Sequence, residues 1–350
     1  MNAIDRYVIR HVLEMTALVA LGLLAIFTFV AFVSDIGDTG QGHYGVPQLL
    51  EYTALMLPNS LYILMPIIGL LGTILGIGVL SRNSELTAMR AAGTSLARIG
   101  GATMIAGLLL GTVTVFLGDW AAPEGERAAT DLRDRARGGG GAHAIWLRDG
   151  STMVQVKDLQ TESNVGDLTL YQVGDDSRLH SVLTAKKGQY QGDHWHLTDV
   201  RTTVFSDDHT ETTSAAELDL NGGVNPSVLR LFILEADSLS FTGLLRLIGY
   251  LQYNHLDFAK YQLLFWRKLI EPFTVMAMML FAIPFVLGQL RDTGAGQRLM
   301  VGVLVGIVFY VLNRVSLSYG ALYAWPPIIS AGAPTAILGV LAVVRLRRAS

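Results

Sequence analysis

The sequence predicts an α-helical polytopic membrane protein in which six transmembrane helices, three on each side, flank an inserted all-β domain of jelly-roll type. Three observations predict this class: an apolar composition, long uncharged runs near both ends, and a polar, strand-like stretch between them. The 350 residues are 51% hydrophobic and 16% charged, with a mean hydropathy of +0.41. Soluble proteins carry about 25% charged residues. A purely soluble protein is therefore excluded.

Uncharged runs long enough to cross a bilayer predict the spans. A spanning helix needs about 20 apolar residues, and residues 16–33, 52–81, 99–118 and 272–290 contain no charged side chain. A further run from Leu299 contains only Arg314, and Trp325-Pro326-Pro327 divides it from the last one because proline interrupts a helix. The first run is longer than the core of a signal peptide, so we expect it to be retained. The predicted spans are residues 12–33, 52–80, 99–118, 269–290, 299–319 and 328–344.

The charges of the short loops predict the orientation. Lys and Arg are enriched in cytoplasmic loops, and every second short loop here is basic. The basic segments carry Arg6, Arg10, Arg82, Arg90, Arg98, Arg291, Arg298, Arg345, Arg347 and Arg348. The loops over residues 34–51 and 320–327 carry no Lys or Arg. Both termini are therefore predicted to be cytoplasmic, with residues 119–268 on the outer side.

The outer segment is predicted to contain a β domain over about residues 142–222. About eight short runs rich in β-branched and aromatic residues are separated by turn signals such as Asp149-Gly150, a spacing typical of sandwiches and jelly rolls. Alternation places Leu168 with Leu170, and Trp195 with Leu197, on shared faces that we expect to form an apolar groove. A helical stalk over residues 122–137 precedes the strands, and helices over 239–254 and 258–268 follow. The N-terminal membrane half is thus residues 1–118 and the C-terminal half 269–350.

Glycines four residues apart occur in three predicted spans. These pairs are Gly72 with Gly76, Gly107 with Gly111, and Gly302 with Gly306. Small residues at this spacing let helix backbones approach closely in lipid. The alternative is that the pairs only reflect the general abundance of glycine in membrane helices.

Several classes of function lack their motifs. The formal net charge of −3 provides no basic excess for nucleic acid. The chain has no cysteine, and neither a phosphate-binding loop of the Walker type nor a nucleophile elbow is present. His194 and His196 share a strand face, but no metal-ligand motif accompanies them, so surface histidines are the better interpretation. We expect no catalytic residue, metal or cofactor in this chain.

A short helix over residues 84–92 is predicted between the second and third spans. Asn83 or Ser84 can cap its start, Glu85 lies in the first turn, and Gly93 can end it. One interpretation is a coupling helix that docks on a cytoplasmic partner through an ion pair of Glu85. The other is an ordinary amphipathic turn at the membrane surface.

Three segments together resemble the lipopolysaccharide export permease family. The resemblance covers essentially the whole chain. The three segments are residues 80–93 (LSRNSELTAMRAAG), 119–126 (DWAAPEGE) and 261–263 (YQL). The opening Ile4-Asp5-Arg6-Tyr7 and the closing Pro326-Pro327-Ile328-Ile329 resemble one of the two paralogous branches of this family more than the other. Each motif is weak by itself, but as a set they are specific.

The resemblance implies a permease subunit that extracts lipopolysaccharide from the outer leaflet of the Gram-negative inner membrane and passes it, through periplasmic jelly-roll domains, to a bridge. The partners it implies are a paralogous permease in a heterodimer, a dimer of the cytoplasmic ATPase LptB, the membrane subunit LptC and the bridge protein LptA. ATP and Mg would bind to the ATPase. The first and fifth spans would form the lateral gates.

The resemblance also implies roles for particular residues. For coupling to the ATPase they are Glu85, Leu86, Met89 and Arg90. For the gate or for lipopolysaccharide they are Phe27, Phe32, Arg133, Arg267, Lys268, Phe309 and Arg314. Family members often carry lysines at the outer end of the first span, but residues 32–38 contain no basic side chain here. Arg314 could supply that charge, or it could extend to the lipid headgroups or pair with Glu271 or Asp119.

Three alternatives remain open from the residues. The chain could belong to the other branch of the same family, it could be a membrane enzyme acting on lipid-linked sugars, or it could be a signalling permease that moves no substrate. The enzyme lacks a persuasive pair of carboxylates, since Asp175-Asp176 and Asp207-Asp208 are typical of turns.

Overall fold

A computed structural model describes residues 2–137, 145–149, 152–159, 164–174, 178–192, 194–206, 209–221, 239–287, 294–323 and 325–349. The chain forms two units. The membrane unit comprises Met1–Leu132 with Ala259–Ser350, and the β unit comprises Arg133–Phe258.

Helices make up the membrane unit, and one further helix belongs to the β unit. The helices are α1 (Ala3–Asp35), α2 (Val46–Leu55), α3 (Leu57–Arg82), α4 (Glu85–Ala91), α5 (Leu96–Phe116), α6 (Ala122–Ala136), α7 (Phe241–Tyr253, in the β unit), α8 (Ala259–Leu287), α9 (Ala295–Leu322) and α10 (Pro327–Ala349). A π-helix, Leu117–Ala121, joins α5 to α6. Among the described residues, six helices are long and apolar enough to cross a membrane.

Helix α3 lies at the centre of the membrane unit, where it packs against α1, α8 and α9. The three glycine pairs show how the helices approach one another. A Cβ atom at Gly72 would overlap Thr16 of α1, one at Gly302 would lie 2.5 Å from Leu71 of α3, and one at Gly111 would lie 3.3 Å from Pro272 of α8. Close packing of these pairs, rather than mere abundance of glycine, is therefore confirmed.

Two helix boundaries differ from the expected spans. The second span begins at Leu57, because Met56 separates α2 from α3 and Pro58 lies in the first turn of α3, where its missing N–H is tolerated. The fourth span and the helix expected before it are one helix, α8, which continues through Pro272 and Pro284. Residues 288–290 of the expected span lie outside the described residues.

The β unit contains one antiparallel sheet in which each strand pairs with its neighbour in sequence. The strands are β1 (Ile145–Asp149), β2 (Thr152–Leu159), β3 (Asn164–Val173), β4 (Leu179–Tyr190), β5 (His194–Phe205) and β6 (Thr210–Asn221). This order is a meander, and the crossover of a jelly roll does not occur between the strands described here. About eight strands were expected, whereas six are described, because β4 and β5 each unite two of the expected runs. The predicted class, six apolar helices with an inserted β domain, is confirmed.

One row of residues interrupts the alternation of the sheet. Buried positions on neighbouring strands are separated by two residues instead of one: Val165 and Leu168, Ala185 and Gly188, and Leu197 and Val200. Asp167 and Asp199, which lie in this row, have positive φ angles of 45° and 55°. The pairing register continues across this row with no extra residue on either strand, so the irregularity is a local change of backbone conformation and not a bulge. On the exposed side of the row, Asp199 forms an ion pair with Lys186, which lowers the pKa of the Asp199 carboxyl.

The buried face of the sheet contains the residues expected to form an apolar groove. Trp195 and Leu197 are buried on β5, as are Leu168 and Leu170 on β3. Tyr250 of α7 packs against the same cluster. Thr169, which points to the opposite face, is also buried.

Candidate functional site

Helix α4, at the turn between α3 and α5, has well-defined ends. Ser84 begins it in a left-handed conformation (φ 61°) without a side-chain cap, and the side chain of Asn83 instead donates to Glu85. At the other end, Gly93 donates its N–H to the Arg90 carbonyl and Thr94 donates to the Met89 carbonyl. These two bonds form a Schellman motif, which requires the positive φ (87°) that Gly93 adopts. The expected role of Gly93 as terminator is confirmed.

The two faces of α4 differ in burial. Leu86 is 3% exposed and belongs to the core of the membrane unit, and Met89 packs against that core. Thr87, Ala88 and Arg90 are exposed. Of the four residues expected to couple to an ATPase, Leu86 and Met89 therefore hold α4 on its own chain, and Arg90 presents its side chain outward.

Glu85 joins α4 to the beginning of α1. Its Oε2 accepts a 2.8 Å hydrogen bond from the Tyr7 hydroxyl, and its Oε1 accepts a 3.2 Å bond from Asn83 Nδ2. Both donors stabilise the charged form, so the pKa of the Glu85 carboxyl lies below its ordinary value, with the Tyr7 bond as the largest cause. The carboxylate is partly exposed and retains lone pairs for another donor.

A second pair ties the same end of α1 to α5. Arg98 donates from Nε to Asp5 Oδ1 at 2.9 Å and from Nη2 to Asp5 Oδ2 at 3.2 Å, which is a bidentate arrangement. The imidazole of His11, one turn after Tyr7 on α1, stacks on the Tyr7 ring with the ring centroids 6.0 Å apart. The start of α1 is thereby attached to both α4 and α5.

A buried arginine connects α9 with α3 near the same end. Arg298 is 4% exposed, and its Nη1 donates a 2.6 Å hydrogen bond to the carbonyl of Gly78. A Cβ atom at Gly78 would lie 2.6 Å from that nitrogen, so any larger residue would force the guanidinium to shift. The carbonyl belongs to the last two turns of α3, whose C-terminal dipole attracts a cation.

At the opposite end of the helices, Lys268 of α8 contacts the π-helix between α5 and α6. Its Nζ donates a 2.6 Å hydrogen bond to the carbonyl of Gly118 and lies 5.8 Å from the centroid of the Tyr62 ring. The expected lipopolysaccharide contact of Lys268 is not tested by this geometry, which shows an intramolecular role.

The other residues expected at the gate are distributed over several elements. Phe27 is 42% exposed on α1, and Phe32 is half-buried further along it. Phe309 of α9 is buried in the core of the membrane unit. Arg314 is exposed on α9 and, within the described residues, forms no ion pair with Glu271 or Asp119.

The remaining two candidates are half-buried. Arg267 lies on α8, one turn before the buried Glu271. Arg133 lies on α6, in the β unit. The expected gate residues therefore do not form a single cluster within the membrane unit.

His194 and His196 were the candidates for a metal site on the sheet. His196 Nδ1 lies 2.6 Å from Asp219 Oδ1, and its Nε2 lies 3.9 Å from Glu217 Oε2. Within the part of the chain that the structure describes, no three metal-ligating side chains come together. The carboxylates, Asp219 foremost, raise the pKa of His196 above its ordinary value.

Six apolar helices with an inserted antiparallel sheet define a polytopic membrane subunit of the permease class. The chain belongs to the LptF/LptG family of lipopolysaccharide export system permeases, whose sequence model matches residues 6–348. It is a membrane permease of lipopolysaccharide export, a system of the Gram-negative inner membrane, and thus a transporter rather than an enzyme.

Individual relatives place the chain within that family. It is 31% identical over 349 residues to the lipopolysaccharide export system permease protein LptG of Haemophilus influenzae, with 97% of each chain covered. It is 30% identical over 356 residues to LptG of Escherichia coli, with 100% of this chain and 99% of the relative covered. The identity to LptF of Escherichia coli is 26% over 205 residues, or 57% of this chain and 54% of the relative. The expected resemblance to the LptG branch is therefore confirmed.

Sequence reasoning missed the partners of several polar residues. In the sequence Tyr7 is part of an opening motif and Arg298 is a charge in a predicted loop, and neither position indicates its partner. One feature of the sequence could have indicated the burial of Arg298, since it stands directly before the apolar run that begins at Leu299. No such feature indicates the partners of Tyr7 and Lys268, because 78 and 150 residues separate the bonded groups.

Proposed function

We propose that this permease pairs with an LptF-type paralogue and extracts lipopolysaccharide from the outer leaflet of the inner membrane for delivery to a periplasmic bridge. The names of the full-length relatives support the substrate, and the more distant match to LptF supports a paralogous partner. An LptB dimer, LptC and LptA complete the proposed complex. ATP and Mg bind to LptB, so this chain needs no cofactor of its own.

The proposed orientation places α4 and both termini in the cytoplasm and the β unit in the periplasm. Its support is the distribution of arginines, which are concentrated at the end of the helices that carries α4. In this orientation α4 faces the ATPase, and the helix ends near Lys268 face the periplasm.

The observation that carries the proposal is the division of α4 into an anchored face and an exposed face. Leu86 is buried in the permease core, and Glu85 is bonded to α1, so a force applied to α4 reaches the ends of α1, α3 and α5 together. Arg90 and Ala88 form the surface offered to the ATPase. Glu85 can accept an additional charge-assisted bond from an arginine of the partner while it holds Tyr7.

The exposed apolar surfaces of α1 and α9 support their assignment as the gate helices. The apolar residues of α1 and α9 are largely exposed within this chain. We propose that they line the lipid path and meet the paralogous permease. Phe27, Phe32 and Arg314 are the candidates for contact with lipopolysaccharide.

Reconstitution of the complex in vesicles tests the function. Only a transporter should release lipopolysaccharide to a periplasmic acceptor in an ATP-dependent manner, whereas a lipid-modifying enzyme would change the lipid and a signalling permease would release none. A photo-crosslinker at Trp195 should label lipopolysaccharide during turnover, and one at the exposed Glu211 serves as control. Labelling from Glu211 alone would count against an apolar path in the β unit.

Glu85→Ala tests the coupling site in the same complex. We expect less copurified ATPase or ATP hydrolysis that no longer drives export. Glu51→Ala, which removes an exposed carboxylate on α2, is the matched control. If Glu85→Ala assembles and exports as the parent does, α4 does not couple through Glu85.

A further inference from the structure

The π-helix leaves the carbonyl of Gly118 without the backbone N–H donor that it would have in an α-helix. In an α-helix it would accept from the N–H of Ala122, four residues on. Here the N–H of Ala122 donates to Leu117, five residues back, as is typical of a π-helix. The next N–H in that register would belong to Pro123, and proline has none.

Lys268 supplies the donor that the backbone cannot. Its Nζ lies 2.6 Å from the Gly118 oxygen in a partly buried setting. The Tyr62 ring packs directly on Gly118, where a Cβ atom would lie 2.5 Å from Cε2 of the ring. Side chains from α3 and α8 therefore converge on the π-helix, and one of them satisfies its open carbonyl.

The choice of donor determines the rotation of α6. If Ala122 donated to Gly118 instead, the π-helix would become α-helical, and the residues after it would turn by about 100° and move by about 1.5 Å along the axis. That turn would remove Glu126 from Asn59, which donates to it at 3.3 Å, and Gly125 from the Leu55 carbonyl. The observed contacts of α6 thus belong to the π-helical state.

We infer that Lys268 is a positioning residue that stabilises the π-helical joint and thereby sets the rotation of α6, the segment that leads from the third span towards the β unit. The functional half of this inference rests on the proposed function, in which lipid passes from the membrane unit to the β unit. The conformational half does not, because it concerns only the backbone donors of one carbonyl.

The absence of cysteine makes the conformational half directly measurable. Spin labels at Leu108→Cys on α5 and Ala128→Cys on α6, both exposed positions, report the rotation across the joint in a complex whose other subunits carry no reactive cysteine. In Lys268→Met the distance distribution should shift or gain a second population displaced by the order of 5 Å, the movement expected for a side chain turned by about 100° on a helix of this radius. Lys260→Met, an exposed lysine on the same helix, is the control.

A second variant separates loss of the hydrogen bond from general damage to the fold. Pro123→Ala provides an N–H that can donate to Gly118 in the π register, so the distance distribution of the double variant Lys268→Met with Pro123→Ala should return towards that of the parent. Lys268→Arg should keep part of the parent distribution. An unchanged distance distribution in Lys268→Met, or no recovery in the double variant, would show that Lys268 does not stabilise the π-helical joint.

Lipid transfer tests the functional half separately. Crosslinking of lipopolysaccharide to a probe at Trp195 should fall severalfold in Lys268→Met and recover in the double variant. A shifted distance with undiminished crosslinking would show that the rotation of α6 does not position the lipid. Because the distance measurement needs no lipopolysaccharide, its result stands even if the proposed function fails.

Discussion

The Tyr7 hydroxyl donates a 2.8 Å hydrogen bond to the carboxylate of Glu85, and this bond joins the first span to the helix between the second and third. Glu85 is expected to bind a partner protein, and within its own chain its carboxylate already accepts this bond. A load on α4 would reach α1 through this contact.

Tyr7→Phe should separate these two roles of Glu85. The variant removes only the hydroxyl, so a partner arginine can still bind Glu85, while the link to α1 is lost. We expect normal copurification of the ATPase but less lipopolysaccharide released per ATP hydrolysed. Tyr253→Phe, on a highly exposed tyrosine, is the control. Export that stays fully coupled in Tyr7→Phe would show that α1 is not driven through this bond.

Arg298→Met should destabilise the membrane unit. It removes a charge-assisted hydrogen bond to the carbonyl of Gly78, which still accepts its helical bond within α3, and a hydrogen bond to a charged group contributes about 1.5–3 kcal/mol. We expect the melting temperature to fall by about 2–4 °C for each kcal/mol. Gly78→Ala should cause a similar loss because its Cβ would displace the guanidinium, whereas Gly101→Ala has open space and should be neutral. Equal melting temperatures for Gly78→Ala and Gly101→Ala would contradict this account.

The stability of the β unit should depend on pH through His196. Its pKa is raised in the folded state, chiefly by Asp219, so its contribution is complete below the unfolded value of about 6.5 and is lost as pH rises through the folded pKa. The groups that face it are Lys187 and Gln189 on β4 and Glu217 and Asp219 on β6. Urea unfolding should therefore show stability that declines above about pH 6.5.

His196→Gln should remove that decline, because glutamine does not titrate. His209→Gln, at an exposed histidine, should leave the pH profile as it is in the parent. A decline of the same size in His196→Gln would assign the titration to another group.

Arg314→Ala should weaken the retention of lipopolysaccharide by the complex. A charge within an apolar span costs about 2.5–3.5 kcal/mol at the helix centre, and such residues usually face a partner or a cavity. Arginine binds phosphate in a bidentate manner and lysine does not, so Arg314→Lys should lie between the two. Arg348→Ala, near the end of α10, is the control. Intact lipid binding with a reduced folded yield would indicate that Arg314 serves stability alone.

Local features of the sequence predicted much of the fold. The length of an uncharged run is a local property, so the six spans could be recognised from it. Gly93 could be assigned as a helix terminator because a positive φ is a requirement of one residue. The extent of the strands was harder to predict, since the left-handed residues Asp167 and Asp199 lie inside β3 and β5 and leave no turn signal. Where the expected strands were split, hydrogen bonds to neighbouring strands keep β4 and β5 continuous.

The sequence by itself determined the class of protein, the number of spans and the family, because the length of an apolar run and a short motif can both be recognised without knowledge of contacts. Only the tertiary structure decided what the polar residues do. Lys268 could bind a phosphate or a backbone carbonyl, and Glu85 could bind a partner or Tyr7, since the same charge satisfies either. The choice depends on which group folding brings within hydrogen-bond distance, and helix packing places Gly118 beside Lys268 and Tyr7 beside Glu85.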